Sequence, residues 1–288
     1  MKKIAAIFIW LLSKIVGKKN LERASIYIAK SLGANLHEHG LLQIGASTNV
    51  YLDNRREFWF LEHTIPRLFA NIENPVFFDV GANIGDYTMS INKNVPHAGI
   101  FSFEPVPQTF EQLTRNVGGK AHLYNIGLGN ATGKGEIFNS VNDTISEIAT
   151  MYEDALVEVF NNINEIASIE FEIDTIDNFC AKNNIKNIDF LKIDVEGNEL
   201  AVIQGASEIL ASEGIQVIQF EFNSHNVYSR VFLRDFYLLL KDFHFYRLNQ
   251  NGLVSLGHYN PINEIFTFQN IVAIHKNLSP QIDSKHLS

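Results

Sequence analysis

The sequence has one cysteine, Cys180, in 288 residues, so no disulfide can form within the chain. This scarcity fits a reducing compartment, and we expect a cytoplasmic protein in which Cys180 is a small buried residue on a helix. Positive charge is also limited, because 23 Lys and Arg stand against 32 Asp and Glu for a net charge of −9. Nucleic-acid binding depends on clustered Lys and Arg, so we expect no nucleic-acid partner.

Metal-ligand patterns and long apolar runs are missing as well. His37 and His39 stand near each other without further His or Cys ligands, so we predict a metal-free protein. The apolar segment "IAAIFIWLLSKIV" is interrupted by Ser13 and Lys14 and would reach roughly 20 Å as a helix, short of the ~30 Å hydrocarbon core. No pair of small residues separated by one position, the usual signal-peptide cleavage site, directly follows Leu12. We therefore do not expect a cleaved secretory signal.

The N-terminal end differs in charge from the rest of the chain. Residues 1–23 hold six Lys or Arg against Glu22, which makes this end about +5 and the remainder about −14. Two interpretations of the apolar helix in residues 1–19 stay open. It packs on the domain or on a sister subunit, which we favour, or it lies in a membrane surface with Trp10 at the headgroups.

The order of apolar runs predicts the fold class. Residues 1–74 form a helical and short-strand extension, with a strand pair around "LLQIGASTNVYL" and a helix through "RREFWFLEHTIPRLF". From residue 75 to 278, short apolar runs alternate with helical segments, which is typical of βαβ units and a doubly wound, mostly parallel α/β sheet. Residues 279–288 are a tail. The predicted strands include "VFFDV", "GIFSFEP", "AHLYNIGLG", "IDFLKIDVEG" and "IQVIQFEFN", closed by an antiparallel pair, "FHFYRL" and "IFTFQNIVAIHK".

Residues 141–167 interrupt this alternation and are longer than a plain connection requires. They contain an amphipathic pattern through Met151, Leu156, Val159 and Phe160. A lid over the binding edge of the sheet and a helix packed flat on the side of the domain are both open interpretations.

The stretch "FFDVGANIGDYT" predicts a ligand site. Ligands of open α/β sheets bind beyond the carboxyl ends of the strands, and Gly81 and Gly85 give a ligand room to approach the backbone. The D-x-G-x-x-x-G spacing differs from the G-x-G-x-x-G of dinucleotide sites. Asp79 would repel a pyrophosphate and favour a ligand with an ammonium group and no phosphate, such as S-adenosyl-L-methionine. Glu104, after the second strand, suits ribose hydroxyls, although a solvated carboxylate at a strand end is an alternative.

Three charged residues alternate in "LKIDVEG" at the end of the fourth core strand. Lys192, Asp194 and Glu196 would share one face while the strand lasts, and unpaired charges are costly in a dry core. We therefore expect them to line a polar site, with Asp194 facing the cationic part of the cofactor and Lys192 as its partner. A structural network that holds a loop is the alternative, and both roles are compatible.

Five segments in this order resemble the FkbM family of S-adenosylmethionine-dependent methyltransferases: "FFDVGANIGDYT", "FSFEPVPQTFEQLTRNV", "LYNIGLGN", "IDFLKIDVEGNEL" and "IQFEFN". The resemblance covers about residues 56–222. It implies a seven-stranded, Rossmann-like class I methyltransferase sheet and methyl transfer to a hydroxyl of a sugar or glycan, lipid or secondary-metabolite acceptor. Residues 1–45, 141–167 and those after about 275 lie outside it, and we expect acceptor choice to lie there.

The resemblance also implies roles for individual residues. The methionine-side wall of the cofactor site is formed by Asp79, Gly81, Asn83 and Gly85, while Glu104 takes the ribose. The residues expected to adjoin the adenine are Pro105, Val106, Asn125 and Ile126.

A hydroxyl acceptor benefits from a catalytic base. The candidates are His225, Asp194 and Glu196, and His225 is attractive because imidazole titrates near neutral pH. A solvated loop histidine is the alternative. Two other functions stay open. One is a nicotinamide-dependent oxidoreductase, which Asp79 disfavours. The other is a non-catalytic methyltransferase-like binding subunit, which the intact glycine loop disfavours.

Overall fold

The computed structural model describes residues 2–47, 50–140, 150–152, 154, 166–250 and 252–278. The chain divides into two compact units, Met1–Ile44 and Gly45–Ser288. Most of the 141–167 segment lies outside the described residues, so neither the lid nor the packed helix is decided there. The predicted tail, 279–288, lies outside them too.

The first unit contains three helices, α1 (Lys2–Val16), α2 (Lys18–Ser31) and α3 (Leu36–Gln43). Asn35 caps α3, because its side chain accepts a hydrogen bond from the backbone N–H of Glu38. None of the helices in the described part of the chain is both long and apolar enough to cross a membrane.

The strand pair predicted around "LLQIGASTNVYL" is wrong. The capped helix α3 takes up the first part of this segment, and α4 (Val50–His63) begins in its last part. Between them Ser47 forms an antiparallel bridge with Phe268, so the β-structure here pairs with a distant segment rather than with itself. The predicted helix through "RREFWFLEHTIPRLF" is present as α4 and α5 (Ile65–Leu68), and both lie in the second unit.

The second unit is built on an eight-stranded sheet with the order β10-β9-β11-β8-β7-β1-β2-β3. Five neighbouring strands are parallel, and the last three in the chain pair antiparallel. The strands of this sheet are β1 (Val76–Val80), β2 (Gly99–Phe103), β3 (His122–Tyr124), β7 (Ile188–Ile193), β8 (Ile215–Glu221), β9 (Phe243–Asn249), β10 (Gly252–Ser255) and β11 (Asn270–His275).

The doubly wound α/β class predicted from the sequence is confirmed, but the expected count of seven strands is wrong. The eighth strand is β10, which turns back from β9 and pairs with it from Gly252 to Ser255. The predicted third strand ends at Tyr124, and its continuation joins a second sheet of order β4-β6-β5. The strands of this small sheet are β4 (Gly127–Leu128), β5 (Gly133–Ser140) and β6 (Ile166–Asp174).

Helices cover both faces of the large sheet, as its apolar strands require. On one face, Phe77 of β1 and Phe190 of β7 pack with Phe60 of α4. On the other face, Phe78 packs edge-on against Phe179. The remaining helices are α6 (Asp86–Asn94), α7 (Pro107–Val117), α8 (Ile176–Asn183), α9 (Glu199–Gln204), α10 (Ser207–Ala211), α11 (His225–Ser229) and α12 (Leu233–Leu239), with a 3₁₀ turn at Pro261–Asn263.

Candidate active site

The glycine loop after β1 is fixed by close backbone contacts. Gly81 has φ 78°, and a β-carbon there would overlap the carbonyl oxygen of Asp194, just after β7. The backbone N–H groups of Gly81 and Ala82 both donate to the carbonyl of Phe103, at 3.0 and 2.9 Å. Gly85 has φ 96° and caps α6 where a β-carbon would meet the side chains of α7. Glycine is therefore required at both predicted positions for packing, and the loop joins the ends of three strands.

Glu104 holds the glycine loop against the end of β2. Its Oε2 accepts the N–H of Asn83 at 3.0 Å and its Oε1 accepts the N–H of Val106 at 2.9 Å. The side chain is buried, which raises the pKa of Glu104 to about 7. The alternative of a solvated carboxylate is thus wrong, because the fold closes over this strand end. The ribose contact stays a prediction.

The predicted adenine neighbours follow Glu104 in space as well as in sequence. Asn125 donates from Nδ2 to the carbonyls of Glu104 and Pro105, at 2.8 and 3.0 Å. Val106 is buried, and Ile126 lines a cavity of about 450 Å³ beside the small sheet. Asn125 thus ties the segment after β3 to the end of β2, where Glu104 holds the glycine loop.

Asp79 lies deeper than the sequence suggested. It is fully buried on β1, where its Oδ2 accepts the hydroxyl of Thr88 at 2.6 Å, and Thr88 also lies 2.8 Å from the hydroxyl of Ser102. Its Oδ1 is buried and has no hydrogen-bond partner among the described residues. Burial raises the pKa of Asp79, and the charge of Lys192 opposes that shift. The ligand contact predicted for Asp79 stays a prediction.

Lys192 is the buried cation of this network. Its Nζ lies 2.7 Å from Oδ2 of Asp194 and 5.0 Å from the centre of the Tyr87 ring. Burial alone lowers the pKa of Lys192, but the carboxylates of Asp194, Glu57 and Asp79 raise it above its ordinary value. Lys192 therefore stays charged at neutral pH and neutralises carboxylates, which makes it a positioning group rather than a base.

The network extends across the sheet through residues that the sequence did not single out. The hydroxyl of Tyr87 donates to Oε1 of Gln219 at 2.7 Å. The amide nitrogen of Gln219 donates to Glu57 and Asn270, at 2.8 and 2.9 Å. These contacts tie α4, α6, β8 and β11 together.

The three charged residues of "LKIDVEG" do not share one partner. Asp194 pairs with Lys192, whereas Glu196, whose φ of 52° is in the left-handed region, pairs with His225. The next residue, Gly197, has φ 105°. Buried Glu199 accepts the N–H groups of Val195 and Gly197 on one oxygen, at 3.2 and 3.0 Å, which fixes this turn.

His225 is buried as the first residue of α11 and pairs with Glu196. Its Nδ1 lies 3.0 Å from Oε2 of Glu196 and 3.2 Å from Oδ1 of Asn223. Both neighbours are acceptors, so Nδ1 carries the proton and Nε2 is the acceptor nitrogen of the neutral ring. Burial lowers the pKa of His225, but Glu196 raises it above its ordinary value. The alternative of a solvated loop histidine is wrong, because the fold encloses this side chain.

Glu221, at the end of β8, adds a carboxylate that the sequence analysis missed. Ligand oxygens of Asp194, Glu196 and Glu221 lie within 4.8 Å of one another, a spacing that would suit a divalent cation. Within the described residues, each carboxylate already contacts a donor: Lys192 for Asp194, His225 for Glu196 and Asn223 for Glu221. The trio therefore supports no metal assignment, and the metal-free expectation stays a prediction.

Proteins named as methyltransferases are similar to this chain in sequence. Methyltransferase 1 of Beauveria bassiana is 26% identical over 45% of this chain and 57% of its own length. Hexuronic acid methyltransferase AglP of Haloferax volcanii is 26% identical over 51% of this chain and 56% of its own length. The chain thus spans little more than half the length of these relatives.

Among solved structures, the precorrin-6y C5,15-methyltransferase of Geobacter metallireducens aligns with a TM-score of 0.39 and 12% identity, over 77% of this chain and 87% of that chain. Residues 79–248, more than half of the chain, match the family model described as the methyltransferase FkbM domain. The predicted family is confirmed, and the chain belongs to the FkbM methyltransferase family.

Proposed function

We propose that this protein transfers a methyl group from S-adenosylmethionine to a hydroxyl oxygen of a small-molecule or glycan acceptor. The observation that carries the choice of a hydroxyl is the pairing of buried His225 with half-buried Glu196, which lies in the loop that follows β7. A hydroxyl loses its proton as it is methylated, so a positioned base assists this reaction. The family match alone leaves the acceptor atom open.

The residues around the glycine loop suit the methyl donor. The buried Oδ1 of Asp79 and the buried Oδ1 of Asn83 have no donor among the described residues. Buried acceptors of this kind are costly unless a ligand supplies the hydrogen bonds, and the α-ammonium of the donor has three N–H groups. This match supports the cofactor on chemical grounds, independent of the family resemblance.

Each residue then has one task toward the donor. Asp79 and Asn83 would accept hydrogen bonds from the ammonium, and Glu104 would use its remaining lone pairs for the ribose. The positive charge of Lys192 offsets the repulsion between the carboxylates of Asp79 and Asp194. When bound, S-adenosylmethionine supplies a methyl group on a positively charged sulfur.

The proton of the acceptor hydroxyl passes to Nε2 of His225 in this proposal. The carboxylate of Glu196 holds the ring through Nδ1 and stabilises the imidazolium that forms. The hydroxyl of Thr150 donates to the carbonyl of Glu196 at 3.0 Å, which fixes the backbone of this residue. Orientation of the acceptor oxygen toward the methyl group supplies the remaining acceleration.

The name of the relative AglP supports a sugar acid or another sugar as the acceptor class. Methyltransferase 1 and methyltransferase sdnD carry names without a substrate, so they neither support nor oppose it. The nicotinamide alternative is disfavoured by the family match. A non-catalytic binding subunit would share the cofactor site, so the experiment must measure transfer as well as binding.

The test combines calorimetry with a transfer assay. S-adenosylhomocysteine should bind the folded protein, and Asp79→Asn should weaken binding roughly tenfold or more, because a charge-assisted hydrogen bond is lost. Exposed Asp242→Asn is the matched control and should bind like the wild type. A mass gain of one methyl group on a hydroxyl-bearing glycoside would establish transfer. Absence of binding at high micromolar concentration refutes the cofactor, and binding without transfer across a broad hydroxyl panel refutes the enzyme.

A further inference from the structure

The first unit exposes apolar side chains that the catalytic site does not use. None of the side chains described within residues 9–44 is buried. On α1, Trp10 is 59% exposed and Ile15 is 81% exposed, and Leu32, which directly follows α2, is 79% exposed. Exposed apolar side chains that are contiguous on one element mark a contact surface.

The same unit has the opposite charge to the rest of the protein. Residues 1–44 contain seven Lys or Arg and two Glu, for a net charge of +5. Because the whole chain carries −9, residues 45–288 carry −14. The exposed apolar surface therefore lies in a locally basic segment. We expect the partner that binds this surface to be negatively charged.

The side chains described on α1, those of residues 9–16, sort into two faces. At ~100° per residue, the apolar residues Ile9, Leu11, Leu12, Ile15 and Val16 span roughly 160° of the helix. Trp10 and Lys14 lie one turn apart on the opposite side, and Nζ of Lys14 is 5.6 Å from the Trp10 ring centre. A pairing seam between helices is a narrower stripe than this apolar face.

We propose that residues 1–44 bind the surface of an anionic lipid bilayer, with α1 lying in the plane of the interface. The broad apolar face would enter the boundary of the acyl chains, while Trp10 and Lys14 remain among the headgroups. The 15-residue helix is about 22 Å long, too short to span the hydrocarbon core but suited to this orientation. Lys18, Lys19 and Lys30 of α2 add attraction to lipid phosphates.

The experiment measures co-sedimentation of the full chain with vesicles. Vesicles of phosphatidylcholine with about one third phosphatidylglycerol should bind the protein at least about tenfold more tightly than pure phosphatidylcholine. Ile15→Glu should reduce binding about tenfold or more, because it places a charge in the apolar face. Ile262→Glu is the matched control, since Ile262 is also exposed, at 77%, and lies in the second unit.

A second measurement separates the bilayer from other occupants. The two tryptophans are Trp10 and Trp59, so in a Trp59→Phe variant the emission of Trp10 should shift to the blue when anionic vesicles are added. Failure of the wild type to bind vesicles, or equal loss in Ile15→Glu and Ile262→Glu, overturns the proposal. So does a concentration-dependent dimer in sedimentation velocity that Ile15→Glu converts to monomer, because the face would then belong to a second copy.

Discussion

Nδ1 of His225 lies 3.0 Å from Oε2 of Glu196, and the two residues follow β8 and β7 at the carboxyl edge of the sheet. Glu196 faces His225 because its backbone is left-handed, with φ 52°, at the point where β7 ends. A carboxylate on one ring nitrogen sets the tautomer and directs the other nitrogen toward a proton source. Four predictions follow from this pair and from the buried charges next to it.

His225→Ala should lower kcat by about 100-fold or more, because the acceptor hydroxyl loses its base. The affinity for S-adenosylhomocysteine should stay within about twofold, since no cofactor contact is assigned to His225. Exposed His258→Ala serves as the matched histidine control and should keep full activity. Wild-type kcat in His225→Ala would remove the residue from the mechanism.

Glu196→Gln should move the acidic limb of the kcat–pH profile to lower pH. The base works as neutral imidazole, so the rate rises as pH increases through the pKa of His225. Burial lowers that pKa but Glu196 raises it above the ordinary value of 6.5, so removal of the carboxylate charge lowers it. Steady-state rates from pH 5 to 9 measure the limb. An unchanged limb would show that another group titrates.

Lys192→Met should destabilise the fold by roughly 3–5 kcal/mol, because it leaves the carboxylates of Asp79, Asp194 and Glu57 near one another without a cation. Urea unfolding measures this loss, which should be smaller at pH 5 than at pH 8 as protonation relieves the repulsion. Adding Asp194→Asn should restore part of the stability. Exposed Lys93→Met is the control, with an expected change below about 0.5 kcal/mol.

Glu199→Gln should flatten the pH dependence of stability. Burial raises the pKa of Glu199 to about 7 in the folded protein, from an ordinary value of 4.5. The folded state therefore binds this proton more tightly than the unfolded state does. The tighter binding adds to the free energy of unfolding in full below pH 4.5, and this addition is lost as pH rises to about 7. The loss is roughly 1–3 kcal/mol in unfolding free energy. Exposed Glu111→Gln should keep the wild-type slope, and an unchanged slope in Glu199→Gln would contradict the assignment.

The sequence predicts the parts of this protein that local pattern controls. Continuous apolar runs locate β1, β7 and β8 because parallel strands are buried on both faces. The D-x-G-x-x-x-G spacing locates the glycine loop, because backbone crowding at Gly81 excludes any β-carbon. Glu104 was predicted at a strand end, although its backbone contacts depend on how the glycine loop folds over it.

Contacts between distant segments could not be predicted in this way. Gln219 and Glu57 meet although 162 positions separate them, and neither belongs to a motif. The depth of Asp79 depends on the packing of Thr88 above it rather than on the pattern of β1. Strand β10 was missed because four residues, Gly252–Ser255, are too short to show alternation. Family comparison confirms the methyltransferase domain, but the relatives' names leave the acceptor of this protein a proposal.

The absent β-carbon of Gly81 constrains how the protein can be altered. Since the main chain of this loop touches the main chain at Asp194, any exchange of residues 79–85 has to keep a glycine at position 81. The backbone path at Asp194 has to be kept as well, because the same contact fixes it from the other side. Attempts to retarget the enzyme to new acceptors should therefore leave both segments intact and vary the regions outside the matched domain.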